Sequence, residues 1–258
     1  MTTQTTTAPM SAIRQDLRPI LKHHHLLGIS EEIGRYLGAG LYPFSEKVKS
    51  KMKGKLVFQI RGIEVDETSG EIKPTILSHV GRSLETPPGV PDEWSFYENF
   101  RKEEVIYNLD KLLTDRFAIQ QARDSGFVVI VETPLDVSRC VEAGVLNVVA
   151  SFGSSLSEHQ LEPLEQIKEK TDAEKFLVIY NRQNIEGQEQ AVNLLRQYGY
   201  QAEGFNWNVQ YLERSERGLV GISPEIQKVS DFNPDQISFI MEKAIQAQKK
   251  SLAPSIER

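Results

Sequence analysis

Two short apolar runs, Phe127 to Val131 and Lys175 to Tyr180, dominate the hydrophobic pattern of the chain. Each is rich in β-branched or aromatic residues and gives way at once to polar residues and a helical period. That is the pattern of buried parallel strands feeding helices. Glu132 ends the first run and Asn181 follows the second. Ligands of open α/β sheets bind at the carboxyl ends of strands, so these two positions are expected to line one site. The two strands are predicted to be parallel neighbours or near-neighbours, with both side chains at the same edge.

Upstream, residues 11–40 read as helical, with Ile13, Leu17, Ile20 and Leu21 at helical spacing. Ser30 followed by Glu31 and Glu32 is a helix start, and Gly38 and Gly40 are stops. The lysines at 47, 49, 51, 53 and 55 alternate, which gives one basic face on a strand or a basic segment in a loop. A strand from Leu56 to Arg61, a turn from Glu64 to Gly70 and a returning strand from Ile72 to Val80 follow. A helix from about Thr114 to Asp124 leads into the first apolar run.

Beyond Glu132, Thr133 suits an N-cap, Pro134 the first helical position, and Asp136 the third, where its carboxylate favours the helix N-terminus. Ser157 to Gln160 has capping-box form, and Pro163 implies a kink or a later helix start. A helix from Ile185 to Tyr198 and a strand from Tyr200 to Asn206 complete an α/β layer. Asn233-Pro234 then opens an amphipathic helix to about Lys249, with Ile237, Ile240, Met241 and Ile245 on one face.

Several of these stretches, taken together and in order, resemble the TOPRIM-containing catalytic core of DnaG-type bacterial primases. The first TOPRIM motif is an apolar strand, then V-E-G and an Asp, matched here by Val131-Glu132-Thr133-Pro134-Leu135-Asp136. A small-residue segment of A-S-x-G-S/T type is matched by Ala150-Ser151-Phe152-Gly153-Ser154. Outside that domain, Leu26 to Pro43 resembles the segment that opens the primase core, and Leu56 to Arg61 resembles its I-x-F-P-I-R strand. Gly81-Arg82 is similar to its G-G-R, and Phe100, Lys102, Tyr107 and Leu109 match the F-x-K-x-x-x-L-Y-G/N-L segment. The K-Y-x-N-S-P element of the family is replaced by Glu85 to Pro91. The resemblance spans roughly residues 25–230 and implies a Rossmann-like parallel-sheet domain preceded by a smaller α+β subdomain that offers basic residues to a template.

The last TOPRIM motif is where the chain departs. The family has a strand ending in D-x-D, then a Gly and a helix. Here Asn181 and Gln183 stand at the two Asp positions, and Gly187 is displaced by one residue. The resemblance implies Mg²⁺ held between the Glu and the Asp pair. Magnesium takes hard, charged oxygen ligands, and an amide oxygen is neutral. Glu132 is left alone to balance an ion, with Asp136 as a second acid whose cap position already explains it. The fold is expected to survive this change and the metal site is not.

Composition narrows the partners. The chain has 258 residues, enough for one large domain or two small ones. No apolar run approaches the ~20 residues of a membrane helix, and the N-terminus has no secretory pattern. One cysteine, Cys140, excludes an intramolecular disulfide and a Cys-based zinc site. A cytoplasmic protein is expected. The triple His23-His24-His25 cannot face one ion, because consecutive residues point different ways around a helix. A net charge of −6 argues against nucleic-acid binding by global charge, so a local basic patch has to supply it. The candidates are Lys49, Lys51, Lys53, Lys55, Arg61, Arg82 and Lys102.

The expected organisation is a disordered tail over 1–10, a primase-like subdomain over 11–113, a TOPRIM domain over 114–232, and a C-terminal helix and tail over 233–258. The leading functional reading is a primase-like protein with an impaired metal site, which binds single-stranded DNA or RNA, or a protein partner. No cofactor is expected under it. The first alternative is an active primase or nuclease in which Glu132, Asp136 and Glu186 rebuild a site for Mg²⁺ or Mn²⁺, with Glu132 catalytic. The second is a structural subunit that keeps the fold as an assembly surface.

Overall fold

A computed structural model of the chain describes residues 29–42, 50–66, 68–84, 94–207, 213–215, 218–220 and 226–252. The tail, the helical pattern over 11–28, the histidine triplet, Lys47, Lys49 and the 85–91 segment lie outside the described residues.

The first layer is a four-stranded antiparallel sheet in the order β1-β2-β3-β4. These strands are Ala39–Leu41 (β1), Leu56–Val65 (β2), Ile72–Arg82 (β3) and Trp94–Phe96 (β4). Helix α1, Glu31–Leu37, leads into it, capped by the Ser30 hydroxyl on the Ile33 amide and closed by left-handed Gly38. The β2–β3 pairing shifts register between Ile60 and Arg61, a bulge that bends the long hairpin.

The second layer is a four-stranded parallel sheet in the order β6-β5-β7-β8. It is built from Phe127–Val131 (β5), Val148–Ala150 (β6), Lys175–Ile179 (β7) and Gln201–Gly204 (β8). The helices between and before them are Leu109–Thr114 (α2), Arg116–Ser125 (α3), Pro134–Glu142 (α4), Leu161–Thr171 (α5) and Ile185–Gln197 (α6). The expected neighbours pair directly, Phe127 with Lys175 through Val131 with Ile179. The fold class is therefore the α/β arrangement read from the sequence. A two-stranded hairpin, Glu213–Ser215 (β9) and Gly218–Val220 (β10), and a last helix, Pro234–Leu252 (α7), follow.

The continuous apolar character of β5 is explained by burial on both faces. Phe127, Val129 and Val131 enter one core with Phe58, Cys140, Ile237 and Ile240. Val128 and Ile130 enter the other with Leu112, Leu164, Phe176 and Leu195. The first core joins the two sheets, and a bridge between Tyr107 and Ala150 stitches the linker to β6. Helix α7 packs its Ile237, Ile240 and Met241 face into that core. Helix α2 straddles the expected boundary at 113, since Leu109, Leu112 and Leu113 pack with the parallel sheet. Pro163 falls in the first turn of α5, so a later helix start is the reading that holds. Among the described residues no helix is long and apolar enough to cross a membrane.

Candidate functional site

Strand β5 leads to β6 on one side, and the chain then crosses to β7 on the other. The gap at the carboxyl ends of β5 and β7 is the switch point where open α/β sheets bind ligands. Glu132 and Asn181 stand there together, as the strand pattern requires. The Glu132 carboxylate accepts from the Asn181 backbone N–H at 3.1 Å, from the Asn181 Nδ2 amide, and from Asn184 Nδ2 at 2.6 Å.

Asn184 is the residue that sequence reasoning missed. The D-x-D pattern points to Asn181 and Gln183, but residues 182–184 form a 3-10 turn, and this carries position 184 back over the strand ends. Gln183 is left exposed. The available signal was the i, i+3 spacing of two Asn residues flanking a tight turn. Asn184 also donates to the Ser154 carbonyl at 2.8 Å, so one amide links the end of β5 to the loop after β6. Asn181 Oδ1 is buried, with no hydrogen-bond partner among the described residues. Rotating that amide would place its oxygen against the Glu132 carboxylate, so the donor orientation is electrostatically set.

Asp136 is fully employed elsewhere. Its Oδ2 accepts from Thr133 Oγ1 at 2.7 Å and the Thr133 N–H at 3.1 Å, completing the capping box of α4. Its Oδ1 accepts from the Ser230 N–H at 2.9 Å, which ties the chain before α7 to α4. Burial pushes the Asp136 carboxyl above the usual range, and these hydrogen bonds pull it back. Glu132 is raised too, first by burial and then by the charge of Asp136, against the hydrogen bonds from Asn184 and Asn181.

The Mg²⁺ that the resemblance implies does not fit these residues. A magnesium site needs charged oxygens with lone pairs turned to the ion. The Glu132 oxygens face three N–H donors, both Asp136 oxygens face donors of their own, and Glu186 is exposed at the start of α6. Among the described residues no three His, Cys, Asp or Glu side chains are grouped to hold a metal ion.

A cleft of about 360 Å³ opens beside Glu132, lined by Trp94 and Phe96 of β4, Lys102, Thr133, Pro134 and Phe152. Its wall is an aromatic cluster. Phe96 stacks on Phe100 with centroids 6.0 Å apart, and Phe152 meets Phe96, Phe100 and Tyr107 edge-on. Lys102 is exposed, with its ammonium 5.7 Å from the Phe96 ring centre. Behind this wall, Gln160 donates to the carbonyls of Val105 at 2.7 Å and Ser151, next to Phe152, at 2.6 Å.

The other basic candidates are placed differently. Residues 51–54 form a turn, so the lysines do not make the alternating face of a strand. Lys51 pairs with Glu98 at 3.1 Å, and Lys55 donates to Ser95. Lys53 is half-buried in the same turn. Arg61 donates to Gln59 Oε1 at 3.0 and 2.6 Å and lies 3.6 Å from the buried Asp110 carboxylate. Arg82 is half-buried at the end of β3, paired in register with Leu56. Cys140 is buried in α4, and burial raises its thiol, as an inert core cysteine requires. His159 is exposed and lines a second cavity of about 250 Å³ with Arg61, Glu104 and Glu162.

No family model matches the sequence. The DNA primase of Enterococcus faecalis is 23% identical over 207 residues, covering 69% of this chain and 31% of that protein. The chain thus spans about a third of the length of that relative. A DnaG primase catalytic domain bound to ssDNA superposes with a TM-score of 0.57 at 16% identity, covering 96% of this chain and 81% of that one. The zinc-binding and RNA polymerase domains of the Aquifex aeolicus primase give a TM-score of 0.56 at 17% identity, with 93% and 57% covered. The E. coli primase catalytic core gives 0.56 at 15% identity, with 96% and 82% covered. The fold is that of a DnaG-type primase catalytic core.

Proposed function

We propose that this chain is a primase-like protein of DNA or RNA metabolism that binds single-stranded nucleic acid in the cleft beside Glu132, without the metal chemistry of primer synthesis. The observation that carries the reading is the state of Glu132, whose carboxylate is held by the amides of Asn181 and Asn184. Phosphoryl transfer depends on metal ions to hold phosphates and neutralise developing charge, and amides supply no negative charge at ordinary pH. The likeness to a primase domain bound to ssDNA supports a nucleic-acid ligand.

The cleft offers what an unpaired strand needs. Half-buried Trp94 and Phe96 line it with aromatic surface of the kind that bases pack against, and exposed Lys102 offers one phosphate contact at the rim. Lys51 and Lys55 are committed to Glu98 and Ser95, so Lys102 is the cation we assign to the strand.

The test has two parts. Titrating the chain with fluorescein-labelled dT and rU oligonucleotides is expected to give saturable binding that Phe96→Ala and Lys102→Ala weaken. Primer synthesis and strand cleavage are expected to be absent with Mg²⁺ or Mn²⁺. Synthesis or cleavage that Glu132→Gln abolishes would establish the enzyme instead. Absence of oligonucleotide binding would leave an assembly role.

A further inference from the structure

We propose that Glu132, Asn181 and Asn184 form a metal-free clasp that positions the Phe152 wall of the cleft. This deepens the binding reading above and rests on it for the role of that wall. Three hydrogen bonds close a ring, and two more brace it. The Phe152 N–H donates to the Glu132 carbonyl at 3.0 Å. Two residues on, the Ser154 carbonyl accepts from Asn184 at 2.8 Å. Asn184 in turn donates to the Glu132 carboxylate at 2.6 Å, and Asn181 adds a backbone and a side-chain donor from the end of β7.

What the ring restrains is costly to hold. Phe152 has φ of 61°, a left-handed conformation that a side chain with a Cβ rarely adopts and that persists only when its surroundings impose it. The strained residue is also the one whose ring meets Phe96, Phe100 and Tyr107. Each hydrogen bond in the clasp has a carboxylate or a backbone carbonyl as acceptor, the stronger class being those to Glu132. The clasp bridges the two strand ends through amide N–H donors on the Glu132 carboxylate. Asn181 and Asn184 are positioning residues here, acting on the ligand through Phe152.

The full chain is melted in EDTA and in millimolar Mn²⁺, as wild type, Asn184→Ala, Asn184→Asp and Glu132→Gln, and each is titrated with a dT oligonucleotide. Wild type is expected to melt at the same temperature in both buffers. Asn184→Ala and Glu132→Gln are expected to melt roughly 5 °C lower in both, the loss of one or more charge-assisted hydrogen bonds. Asn184→Asp sets two carboxylates face to face, so it is expected to melt lowest in EDTA and to recover in Mn²⁺. A merely structural side chain would show no such rescue. Oligonucleotide affinity is expected to fall several-fold in Asn184→Ala below its melting transition.

Stabilisation of wild type by Mn²⁺ that Glu132→Gln removes would overturn the proposal, because the carboxylate would then be a metal ligand. Wild-type melting and binding in Asn184→Ala would overturn it as well. Lack of oligonucleotide binding by wild type would overturn the role assigned to the Phe152 wall, while the melting arm alone decides whether the clasp exists.

Discussion

Gly187 sits so close to Ser154 that a Cβ on it would overlap the Ser154 carbonyl oxygen and the Asn184 side chain. The glycine lies in the first turn of α6, and this contact lets the helix seat against the loop that carries Phe152. The obstructing atom is backbone, which has no rotamer to move. Gly187→Ala is therefore expected to destabilise the chain by roughly 2 kcal/mol, the scale of an overpacked site. Thermal melting measures the loss, and Phe152 should become more accessible to solvent in the variant. Unchanged melting would mean that the loop gives way freely.

The same glycine shows how far the sequence could be read. It looked displaced by one residue from the Gly that follows D-x-D in the family, and the structure places it three residues past the 3-10 turn at Arg182–Asn184, packed on Ser154. The parallel strands were legible because burial on both faces selects β-branched and aromatic residues without a break. The cap at Thr133 and Asp136 was legible because a capping box is local chemistry. Asn184 was not, since its partner Glu132 is distant in sequence and meets it only through sheet pairing. The lysine run was open to two readings, a strand face or a loop segment, and residues 51–54 form a turn, the second of them. Alternation alone does not choose between them; Lys51 reaches Glu98 after β4 and Lys55 reaches Ser95 within it.

Arg61 was read as a template contact, and the structure gives it a buried partner. Its side chain is 21% exposed and that of Asp110 is 5% exposed. Burial raises the Asp110 carboxyl, and the Arg61 charge opposes that rise. Arg61→Ala strands a buried carboxylate and is expected to cost roughly 3 kcal/mol. Adding Asp110→Asn should recover much of it. A phosphate-contacting arginine would behave otherwise, losing oligonucleotide affinity with little change in melting and no rescue by the second substitution.

His79 sets an acid limit on stability. It is fully buried in β3, and neither ring nitrogen has a hydrogen-bond partner among the described residues. Burial disfavours the imidazolium and lowers the pKa from 6.5 to about 4. Between those values the unfolded chain binds a proton that the folded chain does not. Stability from His79 is thus complete above about pH 6.5 and is lost as pH falls toward 4. The raised carboxyls of Glu132, Asp110 and Asp136 act in the opposite sense, losing stability as pH rises through their range. The comparison that isolates His79 is wild type against His79→Leu. Urea midpoints measured across this window should fall less steeply with acid in the variant. Parallel curves would show that His79 does not carry the effect.

Lys102 and Lys51 test the assignment of charge to the cleft. Both are exposed lysines near β4, but Lys102 stands at the aromatic wall and Lys51 is paired with Glu98. A lysine that neutralises one phosphate of a single strand releases a counterion, which contributes about 0.7 to the slope of log affinity against log salt. Lys102→Ala is expected to weaken oligonucleotide binding and to flatten that slope by about this amount. Lys51→Ala is expected to leave both nearly unchanged, since its charge is already balanced by an acid on the surface. Anisotropy titrations over a series of KCl concentrations measure the two slopes side by side. Equal effects from both substitutions would spread the electrostatics over the whole β4 edge, and an effect of Lys51→Ala alone would move the strand off the Phe96 wall and onto the turn before β2.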